Sequence, residues 1–224
     1  MARQLRLDLP ARQALGREDF FVSPANAAAV AMIESWQSWP ARKLLLSGAS
    51  GAGKTHLVHV WAGLAGAEII AAADLPNADI PALAGHNIAV EDAHRIAGDR
   101  TAEEALFHLH NLTLAEGHSL LVTADRPPNL WELVLPDLAS RMQGTALVAL
   151  EAPDDDLLAA VLMKLFDDRQ LSPAPDTIPY LVPRMARSFE AAHQVVTALD
   201  DAALETGRAI NRTLARQVLD KLAK

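Results

Sequence analysis

The sequence predicts an α/β fold with a parallel sheet, followed by a small all-α unit. Short apolar runs alternate with helical patterns over the first two thirds of the 224 residues, and the last third has helical periodicity throughout. A glycine-rich turn joins the first strong strand pattern to the helix after it. Because 50% of the residues are apolar, a chain of this length can bury a sizeable core.

The α/β part divides into predicted strands and helices at its turn residues. A capping box, with Thr101 as N-cap and Glu104 three residues later, marks one helix start, and Pro127 and Pro128 break the chain after a strand. Residues 74–86 are rich in turn formers and predict no regular element. The predicted strands cover 43–47, 68–71, 87–90, 119–123 and 145–150, and the predicted helices cover 24–37, 53–64 and 101–116.

The all-α part begins after a boundary near Pro153. Three acidic residues, 154–156, follow the proline and suit the positive end of a helix dipole. The helical patterns that follow lie near 154–169, 175–186, 188–206 and 211–223. They predict a bundle of about 70 residues.

Composition and charge exclude several function classes. The formal net charge of −8 has the wrong sign for a protein that grips phosphate backbones over a wide surface, so we expect no direct DNA binding. The chain has no Cys, and therefore no disulfide, thiolate metal site or thiol nucleophile. It shows no signal peptide and no run of the ~18 apolar residues that a membrane span needs. We expect a soluble cytoplasmic protein without a membrane partner.

The strongest motif lies between a predicted strand and a predicted helix. Residues 48–55, GASGAGKT, match the phosphate-binding pattern G-x-x-x-x-G-K-[ST] at every fixed position. Its backbone N–H groups can surround phosphates, Lys54 can reach the terminal phosphates, and the Thr55 hydroxyl can hold Mg²⁺. The candidate nucleotide contacts here are Gly48, Ser50, Gly51, Ala52, Gly53, Lys54, Thr55 and His56.

A second acidic motif follows the predicted strand that ends near residue 90. The run 88–92, IAVED, is an apolar stretch that ends in Glu91 and Asp92, as in the Walker B segment that holds the metal or its water. We expect this acid on a strand neighbouring the phosphate loop, with Thr55 and Glu91 as the Mg²⁺ ligands. An acidic turn that only closes a strand is the alternative.

Two further segments carry a resemblance to a known family. Residues 123–128, TADRPP, and 135–141, LPDLASR, are similar to the Hda/DnaA-related family of AAA+ proteins, and the similarity runs from Phe20 to the C-terminus. Residues 19–22 with Asn26 resemble the family's adenine-side box, which implies that Phe21 and Val22 lie beside the base. The resemblance implies an N-terminal segment (1–19), an AAA+ P-loop parallel-sheet domain (20–152) and an all-α lid domain (153–224).

The resemblance also implies roles for single residues. Asp125 matches the sensor-1 position, which responds to the γ-phosphate, and Arg141 matches the arginine finger, which acts in trans on a neighbour's ATP. Arg187 matches the lid's sensor-2 arginine loosely, and Arg184, three residues before it, is the alternative. The family pattern has Asp where this chain has Glu91, a departure that indicates weak or absent intrinsic ATPase activity.

The N-terminus resembles a clamp-binding peptide. Residues 4–9, QLRLDL, are similar to the peptide with which Hda proteins bind the β sliding clamp of DNA polymerase III. Gln4, Leu5, Leu7 and Leu9 would make the contact, and an extended segment puts the three leucines on one side. An amphipathic first strand packed on the chain's own core explains the same pattern.

The resemblance implies a regulatory protein that acts on a partner. It would bind ADP or ATP with Mg²⁺, dock on the clamp and stimulate hydrolysis of DnaA-bound ATP, which gives negative regulation of replication initiation. The sequence ends at Lys224 without the DNA-binding domain that follows the lid in DnaA, which favours the Hda-like role. A homo-oligomer is compatible with this expectation. The alternatives are an intrinsic ATPase or loader that remodels a replication protein, and a nucleotide-binding clamp adaptor without a catalytic role.

Overall fold

A five-stranded parallel sheet forms the centre of the computed structural model, which describes residues 21–222. The strand order is β2-β3-β4-β1-β5, so β1 lies between β4 and β5. The strands are β1 (Lys43–Gly48), β2 (Glu68–Ala71), β3 (Ile88–Glu91), β4 (Leu120–Ala124) and β5 (Ala146–Leu150).

Nine α-helices occur within the described part of the chain. They are α1 (Ala27–Glu34), α2 (Lys54–Ala65), α3 (Ile80–Ala84), α4 (Arg100–Ala115), α5 (Pro136–Gln143), α6 (Asp155–Asp168), α7 (Thr177–Leu181), α8 (Phe189–Thr206) and α9 (Arg212–Leu222). No described helix has the length and the apolar character needed to cross a membrane.

Helices cover both faces of the sheet, which explains the continuous apolar run in β1. Leu44, Leu45 and Leu46 are all fully buried. Leu45 packs in a core with side chains of α4 and α5, while Leu44 and Leu46 pack on the opposite face with side chains of α1 and α2. Because successive side chains of a strand point to opposite faces of the sheet, β1 contributes to both cores.

The C-terminal helices have a third core of their own. Its buried side chains come from α6 to α9 and the turns between them, for example Leu162, Phe166, Val196 and Leu214. The predicted α/β fold followed by an all-α lid is therefore confirmed.

The structure corrects the predicted capping box. The N-cap of α4 is Asp99, whose Oδ1 accepts hydrogen bonds from the backbone N–H groups of Thr101 (3.0 Å) and Ala102 (3.2 Å). Glu104 pairs with Arg100 at 2.8 Å instead of returning to a cap. Asp99 is the N-cap because a carboxylate at the positive end of the helix caps better than a hydroxyl inside the first turn.

Other boundaries differ from the sequence prediction. Helix α1 ends before residue 37, because the chain passes into 3-10 turns at Trp36–Ser38 and Pro40–Arg42. The turn-rich region holds a 3-10 helix, Ala72–Asn77, and the short α3. The helix predicted over 175–186 is only the five residues of α7.

Candidate nucleotide-binding site

The phosphate loop lies where β1 ends and α2 begins, as its motif predicts. Gly51 and Gly53 have φ values of +73° and +101°, a region that other residues rarely adopt. A Cβ at Gly53 would lie 2.7 Å from the Phe189 ring, and one at Gly48 would lie 2.8 Å from the Leu150 carbonyl oxygen. The loop conformation and the close approach of its neighbours both require glycine.

Lys54 is the buried cation of this loop. Its ammonium donates to the carbonyl oxygens of Gly48 (2.7 Å) and Ala49 (3.1 Å), so two of its three donors are used by described residues. Burial lowers the pKa of Lys54, and the nearby carboxylates of Asp92 and Asp125 act in the opposite direction. One ammonium donor is left for an anion.

Backbone donors complete an anion cradle around Lys54. Within residues 21–222, the N–H groups of Gly51, Gly53 and Thr55 donate to no backbone acceptor. These donors stand at the N-terminus of α2, where the helix dipole favours negative charge. The loop therefore fits the phosphates of a nucleotide.

The side chains of Thr55 and Glu91 meet, although β3, which ends at Glu91, is not adjacent to β1, which leads into the phosphate loop. The Thr55 hydroxyl donates to Glu91 Oε1 at 2.7 Å. β4 lies between β1 and β3, so the expectation of a neighbouring strand was wrong; Thr55 is at the start of α2, beyond the strand ends, and the longer Glu side chain reaches it. Hydroxyl and carboxylate oxygens suit Mg²⁺, whose other ligands would be phosphate oxygens and water.

Asp92 has a strained backbone that ties two strand ends together. Its φ of +57° is in the left-handed region. Its backbone N–H donates to the Thr123 hydroxyl at 3.0 Å, and its carboxylate lies 3.2 Å from the guanidinium of Arg95. The fold thus fixes the backbone of Asp92 and turns its side chain to an exposed arginine.

Asp125 follows β4, next to the phosphate loop, where the resemblance places sensor 1. Its carboxylate accepts two hydrogen bonds from Arg126, at 2.7 and 3.1 Å. Chiefly through this contact, Arg126 lowers the pKa of Asp125. Asp125 is therefore an anion at the edge of the cradle.

His94 is a site residue that the sequence reasoning missed. Its Nδ1 accepts the backbone N–H of Asp125 at 3.3 Å, so its Nε2 carries the proton that faces Asp125 Oδ2, also at 3.3 Å. Burial lowers the pKa of His94, which favours this neutral form. A lone histidine after an acidic pair has no motif, and nothing in the sequence signals this contact.

The lid contacts the phosphate loop through the start of α8. The backbone N–H of Phe189 donates to the Gly51 carbonyl oxygen at 2.9 Å. The preceding Arg187 pairs with Asp155 at 2.6 Å and donates weakly to the Pro153 carbonyl oxygen at 3.4 Å. The structure therefore brings the segment that the resemblance matches to sensor 2 to the loop, with the Arg187 side chain held by the first turn of α6.

Arg184 has a different environment from Arg187. Its guanidinium lies 4.2 Å from the centre of the Tyr180 ring and donates to the Tyr180 carbonyl oxygen at 3.0 Å. Arg212 lies 4.9 Å from the same ring. Arg184 thus belongs to a cation-π cluster of the lid, while Arg187 lies two residues before Phe189, which contacts the loop.

Phe21 and Val22 lie at the start of the described chain. They are 39% and 52% exposed. Asn26 holds this segment: its Nδ2 donates to the Phe21 carbonyl oxygen and its Oδ1 accepts the Ser23 N–H, both at 2.9 Å. Phe21 lines a cavity of about 360 Å³ together with the α6 residues Ala160, Met163, Lys164, Asp167 and Asp168. Asn26 thus positions the segment that would contact the base.

Arg141 lies on α5 and is exposed on the surface. It is distant in sequence from the residues of the anion cradle. Leu138 and Met142 of the same helix are fully buried, so α5 packs firmly. Among the described residues Arg141 joins no ion pair. Its guanidinium is free to contact another molecule.

The predicted clamp contacts, Gln4, Leu5, Leu7 and Leu9, lie outside the described residues.

The chain is similar in sequence to known proteins. The chain is 30% identical over 222 residues to the chromosomal replication initiator protein DnaA of Sphingopyxis alaskensis, which covers 89% of this chain and 48% of that protein. It is 26% identical over 187 residues to an uncharacterized protein of Haemophilus influenzae, with 77% and 79% covered. The chain thus spans about half the length of the DnaA that it matches.

Solved structures establish the fold. Domain III of Thermotoga maritima DnaA matches with a TM-score of 0.79 at 18% identity, over 95% of this chain and 98% of that one. A DnaA structure with AMPPCP and single-stranded DNA matches with a TM-score of 0.70 at 19% identity, over 85% and 67%. No protein-family model matches the chain.

Proposed function

Since this chain belongs to the DnaA-related AAA+ family, we propose that it binds an adenine nucleotide and uses Arg141 to stimulate hydrolysis of ATP bound to DnaA. Its effect would be negative regulation of replication initiation. The observation that carries the proposal is the exposed Arg141, which joins no ion pair within residues 21–222, on a firmly packed helix. A planar, permanently charged guanidinium can stabilise charge on a phosphoryl group in a partner's site.

The nucleotide on this chain would serve a structural role. Lys54 and the loop N–H groups that donate to no backbone acceptor within the described residues would hold its phosphates, and Thr55 and Glu91 would hold Mg²⁺. AMPPCP in a related DnaA structure supports an adenine nucleotide, and we propose ADP as the resident form. Glu91 in place of the family's Asp supports a site that binds rather than hydrolyses.

Residues 4–9 would bring the protein to DNA-loaded β clamp. The family resemblance supports this assignment, and each leucine buried in a pocket would contribute ~1.5–3 kcal/mol before ordering costs. Deletion of residues 1–9 should abolish clamp binding and the stimulation that depends on it, while ADP affinity stays unchanged. Surface plasmon resonance on immobilised clamp and calorimetric ADP titration separate the two effects.

The decisive experiment measures phosphate release from ATP-loaded DnaA with DNA-loaded clamp. We expect wild-type protein to accelerate release and Arg141→Ala to lose at least ~100-fold of this acceleration, since arginine fingers are worth 10³–10⁵ in rate. Arg216→Ala, which removes an exposed lid arginine 4.0 Å from Asp220, is the matched control and should keep it. Full acceleration by Arg141→Ala would overturn the proposal.

An intrinsic ATPase is a second candidate, favoured by the acidic groups around Lys54. Glu91, Asp92 and Asp125 are all close enough to raise its pKa against the effect of burial. Steady phosphate release by the isolated protein, lost in Asp92→Ala, would support this candidate. Its absence, with tight ADP binding retained, would leave the trans-acting role.

A further inference from the structure

Helix α5, which carries Arg141, begins at a buried carboxylate. Glu103 of α4 is fully buried, and its Oε1 accepts the backbone N–H groups of Gly98 (2.9 Å) and Val134 (3.1 Å). Its Oε2 accepts the N–H of Leu135 at 2.7 Å. Leu135 is the N-cap residue of α5 and its side chain cannot cap, so Glu103 serves the segment that enters the helix.

The same helix ends at a buried ammonium. Lys43 of β1 is only 8% exposed, and its Nζ donates to the Arg141 carbonyl oxygen at 3.1 Å. The Thr145 hydroxyl donates to the same oxygen at 2.8 Å. Carbonyl groups in a last helical turn lack intrahelical partners, and Lys43 and Thr145 satisfy this one.

The charges match the ends of the helix that they contact. A carboxylate at the start and an ammonium at the end both complement the helix dipole. The other contact of the Lys43 ammonium is His110 Nε2 at 3.3 Å, and burial, with Arg141 adding to it, lowers the pKa of Lys43. Lys43 has no carboxylate partner among the described residues. Apolar packing does not explain why a lysine is buried at this position.

We propose that Glu103 and Lys43 are positioning residues that fix the two ends of α5 and thereby the direction of Arg141. Both act through backbone atoms of the helix and its entry. The consequence for hydrolysis rests on the proposed function, whereas the anchoring of α5 does not. A finger displaced by about 1 Å can lose a hundredfold in rate, so a rigid base matters for a residue that acts in trans.

Hydrogen exchange tests the anchoring without any partner. In the full chain, Lys43→Met keeps an unbranched side chain that is one atom shorter and removes the ammonium. Glu103→Gln places an amide donor against at least one of the N–H groups that the carboxylate accepts. We expect amides of 138–144 to exchange about tenfold faster in each variant. Lys221→Met, on the exposed end of α9, is the matched control and should change none of them. Unchanged exchange in both variants would overturn the proposal.

Hydrolysis of DnaA-bound ATP tests the positioning. Lys43→Met should lower the maximal acceleration about tenfold and leave both the half-saturating concentration and the ADP affinity unchanged. A raised half-saturating concentration with an unchanged maximum would overturn the proposal, because it would indicate docking. If Glu103→Gln does not fold, Lys43→Met carries both tests. If wild type accelerates nothing, the proposed function fails, and exchange still decides whether α5 is anchored.

Discussion

At the scale of single residues, the glycines of the phosphate loop combine two separate requirements. Gly53 needs a positive φ and also lies against the Phe189 ring, whereas Gly66 needs a positive φ of +61° in open space. The pair therefore separates backbone strain from steric contact.

Gly53→Ala should destabilise the protein more than Gly66→Ala. We expect about 1 kcal/mol for the strain at Gly66 and about 2–3 kcal/mol at Gly53, where the Phe189 ring must move as well. Urea unfolding of both variants at pH 7.5 measures the difference in free energy of unfolding. Equal losses would show that the ring yields without cost.

His110 should make stability fall in mild acid. Burial lowers the pKa of His110 below its ordinary 6.5, so below about this pH the unfolded chain binds more protons than the folded one. The free energy of unfolding therefore decreases as pH falls, and His94 and His193 contribute in the same direction. His110→Gln keeps an acceptor for Lys43 and should show a smaller decrease between pH 7.5 and 5.5 in urea unfolding. An identical decrease would contradict this assignment.

Local motifs made part of the site predictable. The sequence predicts the roles of Lys54 and Thr55 because the whole phosphate-binding motif lies in eight consecutive residues, 48–55. His94 and Glu103 act on partners 31 and 32 residues away, and Lys43 acts on a carbonyl group 98 residues away. No local pattern predicts such contacts, since they arise only when folding brings distant segments of the chain together.

At the scale of elements, the apolar runs predicted the strands to within one or two residues. The inner strands β1, β3 and β4 are buried on both faces, which demands apolar side chains. Helix ends were less predictable. A hydroxyl and a carboxylate two residues apart can both cap, and the prediction chose Thr101 where the structure uses Asp99.

Two alanine variants distinguish these caps. Asp99→Ala removes both side-chain acceptors at the start of α4 and should cost about 1 kcal/mol of stability. Thr101→Ala, inside the first turn, should change stability by less than ~0.5 kcal/mol. Thermal unfolding of the two variants compares them directly, and a larger loss for Thr101→Ala would restore the capping box.

At the scale of the whole molecule, the phosphate loop contacts both the sheet and the lid, so a bound nucleotide should stabilise the entire chain. ADP with Mg²⁺ at 100 times its Kd should add about 2.7 kcal/mol to the free energy of unfolding, provided that only the folded state binds it. Lys54→Ala should abolish this gain. Differential scanning fluorimetry with and without ADP checks both, and an equal rise of Tm in Lys54→Ala would remove the loop from the binding site.

The strand order also governs how the chain can assemble. The central strand β1 pairs with residues that come much later in the sequence: Lys43 lies opposite Leu120, and Leu44 lies opposite Ala146. The entropy cost of closing such long loops comes before the strand pairing that offsets it. This cost slows folding. During synthesis, Leu44, Leu45 and Leu46 emerge long before either partner strand, so the nascent chain carries an aggregation-prone segment that needs protection until β4 and β5 have left the ribosome.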